Sequence, residues 1–467
     1  MAKMICIKNA SVLTMSDLLG DMECADILID GSRIVAVGSD LDAGDAEVVD
    51  ARGMIAMPGF IDAHRHLWQT NLKHLACDWT LTEYLLSTRA LLSGAYEPED
   101  LFLGQYAGGI EALNAGVTTV VDHAHNLASP EHVDAAIDGT RKANIRSVFC
   151  YGMGDVAQDG KLFESFATPA WHFDDFKRVS VEKFGDDYPL MTLGMALNEL
   201  PFSAIENQQK EILLARERGA GLITFHMSIP GREHIVEMAE AGVLGPDMLV
   251  THGFFMSDNE LRLLADNGVS VVSTLDSELQ MGMGHGITTR AREFGINHSL
   301  GVDIVSGNSG DLFTQMRLSL QTQRAFSNQK LLDEGGKVDK VSATVRDVLE
   351  AATIGGARAA GLADQIGSIE VGKQADIILI NTNRLGLQPM GDLAASVVMY
   401  ASEGDVDTVM VGGTLVKSSG RLLNVDEADL IDQLTKSRHS VLNKTRNISS
   451  DVINKLCEMG LPTVFKH

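Results

Sequence analysis

Short apolar runs alternate with amphipathic stretches through most of the chain. The runs are MIAMPGFIDAH, VTTVVDH, IRSVFCYG, LMTLGMALN, LITFHMS, MLVTHG, VSVVSTLD and HSLGVD. Each is followed by a polar loop and then by a segment with apolar residues at helical spacing, such as PEHVDAAIDGTRKAN or DNELRLLADNG. Parallel strands buried on both faces read as continuous apolar runs, so eight such units predict an α/β fold, a (β/α)₈ barrel over residues 57–365.

The two ends of the chain carry a different pattern. In MICIKNASVLTM, ADILIDGSRIVAVG and AEVVDARGMIAMPG, Ile and Val alternate with polar residues, and Asp-Gly and Gly-Ser punctuate them as turns. The same texture returns in ADIILINTN and VDTVMVGGTLVKSSGRLL. Residues 1–56 and 366–425 are therefore expected to meet as one small β-sandwich domain. VRDVLEAATIGGARAAGL reads as a helix leading back to it, and residues 426–467 read as a charged, helical C-terminal arm. There is no internal repeat or low-complexity linker.

Composition narrows the function classes. The 467 residues suit a large barrel with an appended domain, and a hydrophobic share of 45% allows a sizeable core. The net charge of −25 repels phosphate backbones and anionic membrane surfaces, so no nucleic-acid or membrane partner is expected. Five cysteines form no CxxC pair, which argues against a disulfide framework or thiolate metal site and fits a reducing cytoplasm. The N-terminal stretch lacks the apolar run of a signal peptide, and no stretch reaches the length of a membrane span.

The chemistry lies in the polar residues that end the apolar runs. Strand one ends in His64-Arg65-His66, strand two in Asp122-His123, strand five in His226, strand six in His252 and strand eight in Asp303. In a (β/α)₈ barrel the C-terminal ends of the strands form the face on which active sites are assembled. Side chains alternate along a strand, so His64 and His66 project to the same side. With His226 and Asp303 they form a donor set suited to zinc or iron that leaves room for water. Taken singly, an HxH pair arises by chance, a lone histidine is a core residue, and Asp303 is a helix cap. Their concerted placement on different strands is what points to a metal.

The chain resembles the amidohydrolase superfamily, in the branch of guanine, oxoguanine, adenosylhomocysteine and triazine deaminases and hydrolases. The likeness runs through MPGFIDAHRHLWQT, YEPEDLF, GVTTVVDH and THGFFMSDNELRLLADNGVSVVST, then SLGVD with FTQMRLSLQTQR, and GSIEVGKQADIILI. It implies one divalent ion on His64, His66, His226 and Asp303, zinc first, with iron or cobalt as alternatives. It also implies that Asp303 and His252 are catalytic: Asp303 takes a proton from water, and His252 orients that water or stabilises developing charge. Relatives of this kind are often dimers or tetramers, so a homo-oligomer acting on a small-molecule substrate is expected. Binuclear members bridge their ions with a lysine on strand four, whereas strand four here ends in Ala196-Leu197-Asn198-Glu199. One ion is expected, with a bridging Glu199 as the alternative.

The sequence departs from the deaminase pattern at one place. That branch carries a glutamate three residues after the strand-five histidine, where it shuttles protons to a ring nitrogen and the leaving amine. Here the run is His226-Met227-Ser228-Ile229, and isoleucine neither donates nor accepts a proton. Candidate substrate-contacting residues are Gln69, His125, Glu278 and Trp68, with His123, Trp79 and the loop residue His285 also weighed. Each has a bland alternative as a core or solvated side chain. The expected reaction is hydrolysis of a non-peptide C–N bond in an amide, carbamate, urea or cyclic amidine by hydroxide generated at the ion. Deamination of an N-heterocycle is the alternative, and a non-catalytic binding barrel the reading of a different class.

Overall fold

The computed structural model describes residues 4–156, 168–185, 188–198, 203–445 and 450–460. Eight strands, Phe60–Arg65, Val117–Ala124, Arg146–Gly152, Met191–Ala196, Ile223–Met227, Met248–His252, Ser270–Ser273 and His298–Leu300, pair in chain order as a parallel sheet. They match the eight apolar runs. Between the first and last strands the sheet closes through a parallel bridge, Arg65 to Asp303. Ile61, Ala63, Val121, Val148, Ala196, Leu249 and Val272 form one buried apolar cluster with Ala357 and Ile366. This is the filled interior that a barrel of this size requires.

The outer helices begin where capping chemistry tells them to. Ser257 accepts from the Glu260 backbone N–H while the Glu260 side chain reaches back, a capping box that starts the helix Asp258–Asp266. Pro130 opens Pro130–Ala143, and Asn144 closes it in the left-handed conformation. One expected helix is broken. VRDVLEAATIGGARAAGL forms Val345–Ala351 and Ile354–Ala359, with Thr353 outside helical geometry between them. The Ala352 carbonyl is taken by the Ile61 N–H at 2.9 Å, so the first barrel strand replaces the helix's own ladder there.

Both ends of the chain meet in a second, mixed sheet of nine strands. Met54–Pro58 from the N-terminal side pairs antiparallel with Ile377–Asn381 from the C-terminal side, which joins the two halves. The single apolar run MIAMPGFIDAH therefore serves two sheets: Met54–Pro58 belongs to the small one and Phe60–Arg65 to the barrel. A buried, two-pronged ion pair fastens them, with Arg146 Nε and Nη2 donating to Asp376 at 2.6 and 2.9 Å. The expected arm begins as the helix Glu427–Thr445, whose Ser437 donates to Asp100 at 2.6 Å. No helix among the described residues is long and apolar enough to cross a membrane.

Beside the end of strand four lies a buried carboxyl with a pH consequence. Glu211, on the helix Ile205–Glu217, accepts from Thr168 Oγ1 and from the Asn198 backbone N–H. Burial nevertheless pushes its carboxyl up from an ordinary value near 4.5 to about 7, the two bonds opposing the shift. The folded state thus holds a proton that the unfolded chain has released, and stability falls as pH rises from about 4.5 to about 7, by roughly 3 kcal/mol. Glu211→Gln removes this penalty. Its melting temperature should exceed that of the wild type at pH 8, with the gap closing towards pH 5. A gap independent of pH contradicts the assignment.

Candidate metal centre and active site

The end of the first barrel strand is fixed from both sides. His64 and His66 point into the barrel mouth, while the intervening Arg65 points outward and is fully buried. Its guanidinium donates to the Gly310 carbonyl at 3.0 Å and to Glu111 Oε2 at 2.9 Å. Inside, the buried Asp62 Oδ1 accepts from Val302 N at 2.9 Å and His64 N at 3.4 Å. The strand-eight end is then sewn on: Asp303 N donates to the His64 carbonyl at 2.9 Å, and His66 N donates to the Asp303 carbonyl at 2.8 Å. Gly301 permits this approach, since a Cβ there would lie 2.7 Å from the His64 carbonyl oxygen.

Three close approaches bring the four expected ligands to this seam: His64, His66 and Asp303 form one group, and His226 joins through His64. His64 Nε2 and His66 Nε2 lie 3.4 and 3.3 Å from Asp303 Oδ1, and His226 Nε2 lies 3.3 Å from His64 Nε2. A tetrahedron with bonds of about 2.0–2.1 Å has edges of about 3.3–3.4 Å, so the spacing fits a zinc-sized ion. The far nitrogens of the first two rings are engaged elsewhere: His66 Nδ1 with the His123 carbonyl at 2.8 Å, and His64 Nδ1 with Thr251 Oγ1 at 3.2 Å. Such partners orient imidazoles with Nε2 free for a cation. Strand four, Met191–Ala196, contains no lysine, and Glu199 lies outside the described residues.

Electrostatics agree with a cation cage. Burial drives His64 well below the ordinary histidine range against the opposing hydrogen bond with Asp303, and the neighbouring His66 and His226 add to the fall. Burial pushes the Asp303 carboxyl up, but bonds from His64 and His66 and the nearby His252 overcome this and hold it well below the carboxylate range. The result is a neutral His64 imidazole beside an ionised Asp303 carboxylate. His252 and Asp303 both adopt left-handed backbone, with φ of 69° and 67°. For residues other than glycine this is strained, and tertiary structure imposes it where side-chain aim matters.

The cavity over these donors encloses about 400 Å³, its open mouth included. His66, His226, His252 and Asp303 form its floor; Leu81, Leu85, Met281 and Met283 supply apolar wall, with Tyr84, Arg89, His125 and Ser228 as polar groups. Of the four expected substrate contacts, only His125 is on the wall. Its ring lies 4.0 Å from that of His66, and both ring nitrogens are buried without a hydrogen-bond partner among the described residues. Burial, with the Arg89 charge adding, drives it well below the ordinary histidine range, so it is neutral.

The other three expected contacts lie away from the cavity wall. Trp68 is buried in the core, edge-on to Tyr96 and backing His125 at 5.7 Å, because strand one is followed at once by a packed turn. Gln69 lies one layer out: its Nε2 donates to Tyr84 Oη at 2.6 Å and its Oε1 accepts from Ser306 at 2.8 Å. Glu278 does not overhang the mouth. It is buried on the short helix Leu275–Gln280, its Oε1 3.1 Å from His252 Nδ1. Trp79 joins the apolar cluster behind Tyr84 and Met281, and exposed His285 stacks on Phe326. His123, buried, stacks on His226 at 4.2 Å.

Tyr84, Arg89 and Ser277 escaped the sequence reading because they lie outside the strand ends. Tyr84 closes a short helix and Arg89 sits in the π-helical stretch Leu85–Leu92, a geometry often found at functional sites.

The model of the amidohydrolase family matches residues 55–416. The chain is 29% identical, over 88% of its length and 93% of the relative's, to a 5-methylthioadenosine/S-adenosylhomocysteine deaminase of Thermococcus kodakarensis. It is 28% identical, over 93% of its length and 97% of the relative's, to a 5'-deoxyadenosine deaminase of Methanobrevibacter smithii. Among solved structures, a zinc-bound adenosine deaminase of Xanthomonas campestris superposes with a TM-score of 0.80 at 23% identity, covering 94% of this chain and 98% of that one. A zinc complex of atrazine chlorohydrolase from Arthrobacter aurescens gives 0.82 at 23% identity, covering 93% and 100%. These two share the fold, and the family match spans most of the sequence: the chain belongs to the amidohydrolase family.

Proposed function

We propose that the protein is a hydrolase of a non-peptide C–N bond in a small molecule, using one divalent ion, zinc first, held by His64, His66, His226 and Asp303. The carrying observation is that His64 and His66 Nε2 approach Asp303 Oδ1, and His226 Nε2 approaches His64 Nε2, at 3.3–3.4 Å. When bound, such an ion supplies Lewis acidity, making water a nucleophile near neutral pH and polarising the scissile group. Asp303, ionised at neutral pH, takes up the water's proton on its carboxylate oxygen and delivers it to the leaving nitrogen. His252, on the cavity floor, faces the developing charge. His125 offers the substrate a neutral imidazole, one donor and one acceptor.

The scissile group follows from what the wall lacks. Ile229 stands where a deaminase glutamate would protonate a ring, and among the described wall residues Asp303 is the only carboxylate. An amide, carbamate, urea or cyclic amidine, already electrophilic at carbon, suits this wall. The second reading is deamination of an adenosine-type heterocycle, favoured by the names of the relatives that align over nearly the whole chain. Five unpaired cysteines support a reducing, cytoplasmic location. Assembly into a homodimer or tetramer remains part of the same proposal.

Zinc-loaded protein incubated with 5'-deoxyadenosine, 5-methylthioadenosine and a panel of amides, carbamates and ureas decides between the readings. Hydrolysis within the panel, without ammonia from the nucleosides, is expected; ammonia release from the nucleosides alone selects the second. Purified protein should carry about one equivalent of zinc, and His226→Ala should lose both zinc and activity, because a deleted ligand opens the cage. Full retention of either overturns the site. On the substrate so identified, His125→Ala should raise KM about tenfold or more at unchanged zinc content, the scale of one lost hydrogen bond in a buried site. An unchanged KM removes His125 from the substrate wall.

A further inference from the structure

Two adjacent side chains on the helix Leu275–Gln280 reach the two groups to which the proposed reaction assigns proton handling. Ser277 Oγ donates to Asp303 Oδ2 at 2.6 Å, and Glu278 Oε1 lies 3.1 Å from His252 Nδ1. Both side chains are fully buried. Helix Leu275–Gln280 follows strand seven, so it stands between the strand that ends in His252 and the strand that leads to Asp303. Neither group is oriented by local preference, since both sit on left-handed backbone.

The hydrogen-bond inventory assigns the His252 tautomer. Glu278 Oε1 already accepts from Thr274 N at 3.0 Å, while Oε2 is buried without a partner among the described residues. Oε1 is therefore an acceptor whether or not the carboxyl carries a proton, because a proton would reside on Oε2. The contact with His252 then requires a hydrogen on Nδ1, shared with the Thr274 hydroxyl oxygen at 3.2 Å, whose own hydrogen can go to Ser277 Oγ at 2.9 Å; Nε2 is then the unprotonated nitrogen. Ser277 Oγ has three partners in reach, Asp303 Oδ2 at 2.6 Å, Thr274 Oγ1 at 2.9 Å and the Thr274 carbonyl at 3.0 Å, and the shortest bond, to the charged oxygen, takes its hydrogen. That bond occupies the outer oxygen of Asp303 and leaves Oδ1 facing the imidazoles of His64 and His66.

We infer that Ser277 and Glu278 are positioning residues of the reaction: Glu278 fixes His252 as the Nδ1–H tautomer with Nε2 towards the substrate, and Ser277 aims Asp303 Oδ1 at the cation cage. The inference rests on the zinc site proposed above.

The test uses the zinc-loaded full chain with ¹⁵N-labelled histidine, the His252 signals being assigned by their loss in His252→Asn. Wild type should show a protonated Nδ1 and an unprotonated Nε2. Glu278→Gln, which keeps an acceptor oxygen, should preserve that pattern, and Glu278→Met, of similar volume, should shift His252 towards Nε2–H. Ser277→Ala should weaken zinc binding by roughly tenfold or more, the usual effect of losing a partner of a metal ligand. A purely structural role would lower melting temperature without moving the tautomer or the zinc affinity. An Nε2–H tautomer in wild type overturns the role of Glu278, and so does an unmoved one in a folded Glu278→Met. Unchanged zinc affinity in Ser277→Ala overturns that of Ser277. Failure of the underlying site looks different: wild type then binds no zinc at all.

Discussion

The barrel closes through the residues of its proposed metal site. Where most strand pairs share several paired residues, strands one and eight meet at a single bridge, Arg65 to Asp303. The two backbone hydrogen bonds that make this seam belong to His64, His66 and Asp303. Ligand geometry and barrel closure are thus one constraint. Asp62 reinforces it by accepting from both sides of the seam, and Gly301 allows it by leaving room for the His64 backbone. A cage built in this way is preorganised, because its donors are placed by the sheet before any ion arrives.

Around the seam, each layer fixes the one inside it. Arg65 and Glu111 hold the outer side of the first strand, Thr251 and the His123 carbonyl turn the first two imidazoles, and the Leu275–Gln280 helix reaches Asp303 and His252. The floor of the cavity is therefore rigid and polar, while the wall opposite is apolar and built from Leu81, Leu85, Met281 and Met283. In this architecture chemistry usually sits at the strand ends and selectivity in the segments after them, the arrangement the proposed function assumes here.

Much of this was legible in the chain. All eight strands announced themselves as apolar runs, and a polar residue ending a buried run is costly enough to signal function, which is why His64, His66, His226 and Asp303 stood out. The sheet joining both ends was readable from matching hairpin texture. What escaped depended on tertiary geometry. Gln69 and Trp68 follow the HxH pair directly, yet the turn after strand one folds them one layer back from the cavity. Glu278 looks like a loop charge in TLDSELQ but is buried because a one-turn helix forms there and His252 supplies a partner. The helix break at Thr353 was invisible because it is caused by Ile61, nearly three hundred residues away. Left-handed backbone at His252 and Asp303 has only a faint signature in residue type, since Asp and His visit that region more often than most residues yet rarely.

The central claim is that the seam of the barrel is a single-cation cage of three imidazoles and one carboxylate, with the strand-two histidines outside it. X-ray absorption spectroscopy at the zinc edge of the zinc-loaded protein tests this most directly. The account predicts three imidazole nitrogens at about 2.0–2.1 Å, completed by oxygen donors, with no zinc neighbour. Four or more imidazoles would bring His123 or His125 into the cage, and a zinc–zinc distance near 3.5 Å would indicate a second ion; either result contradicts it.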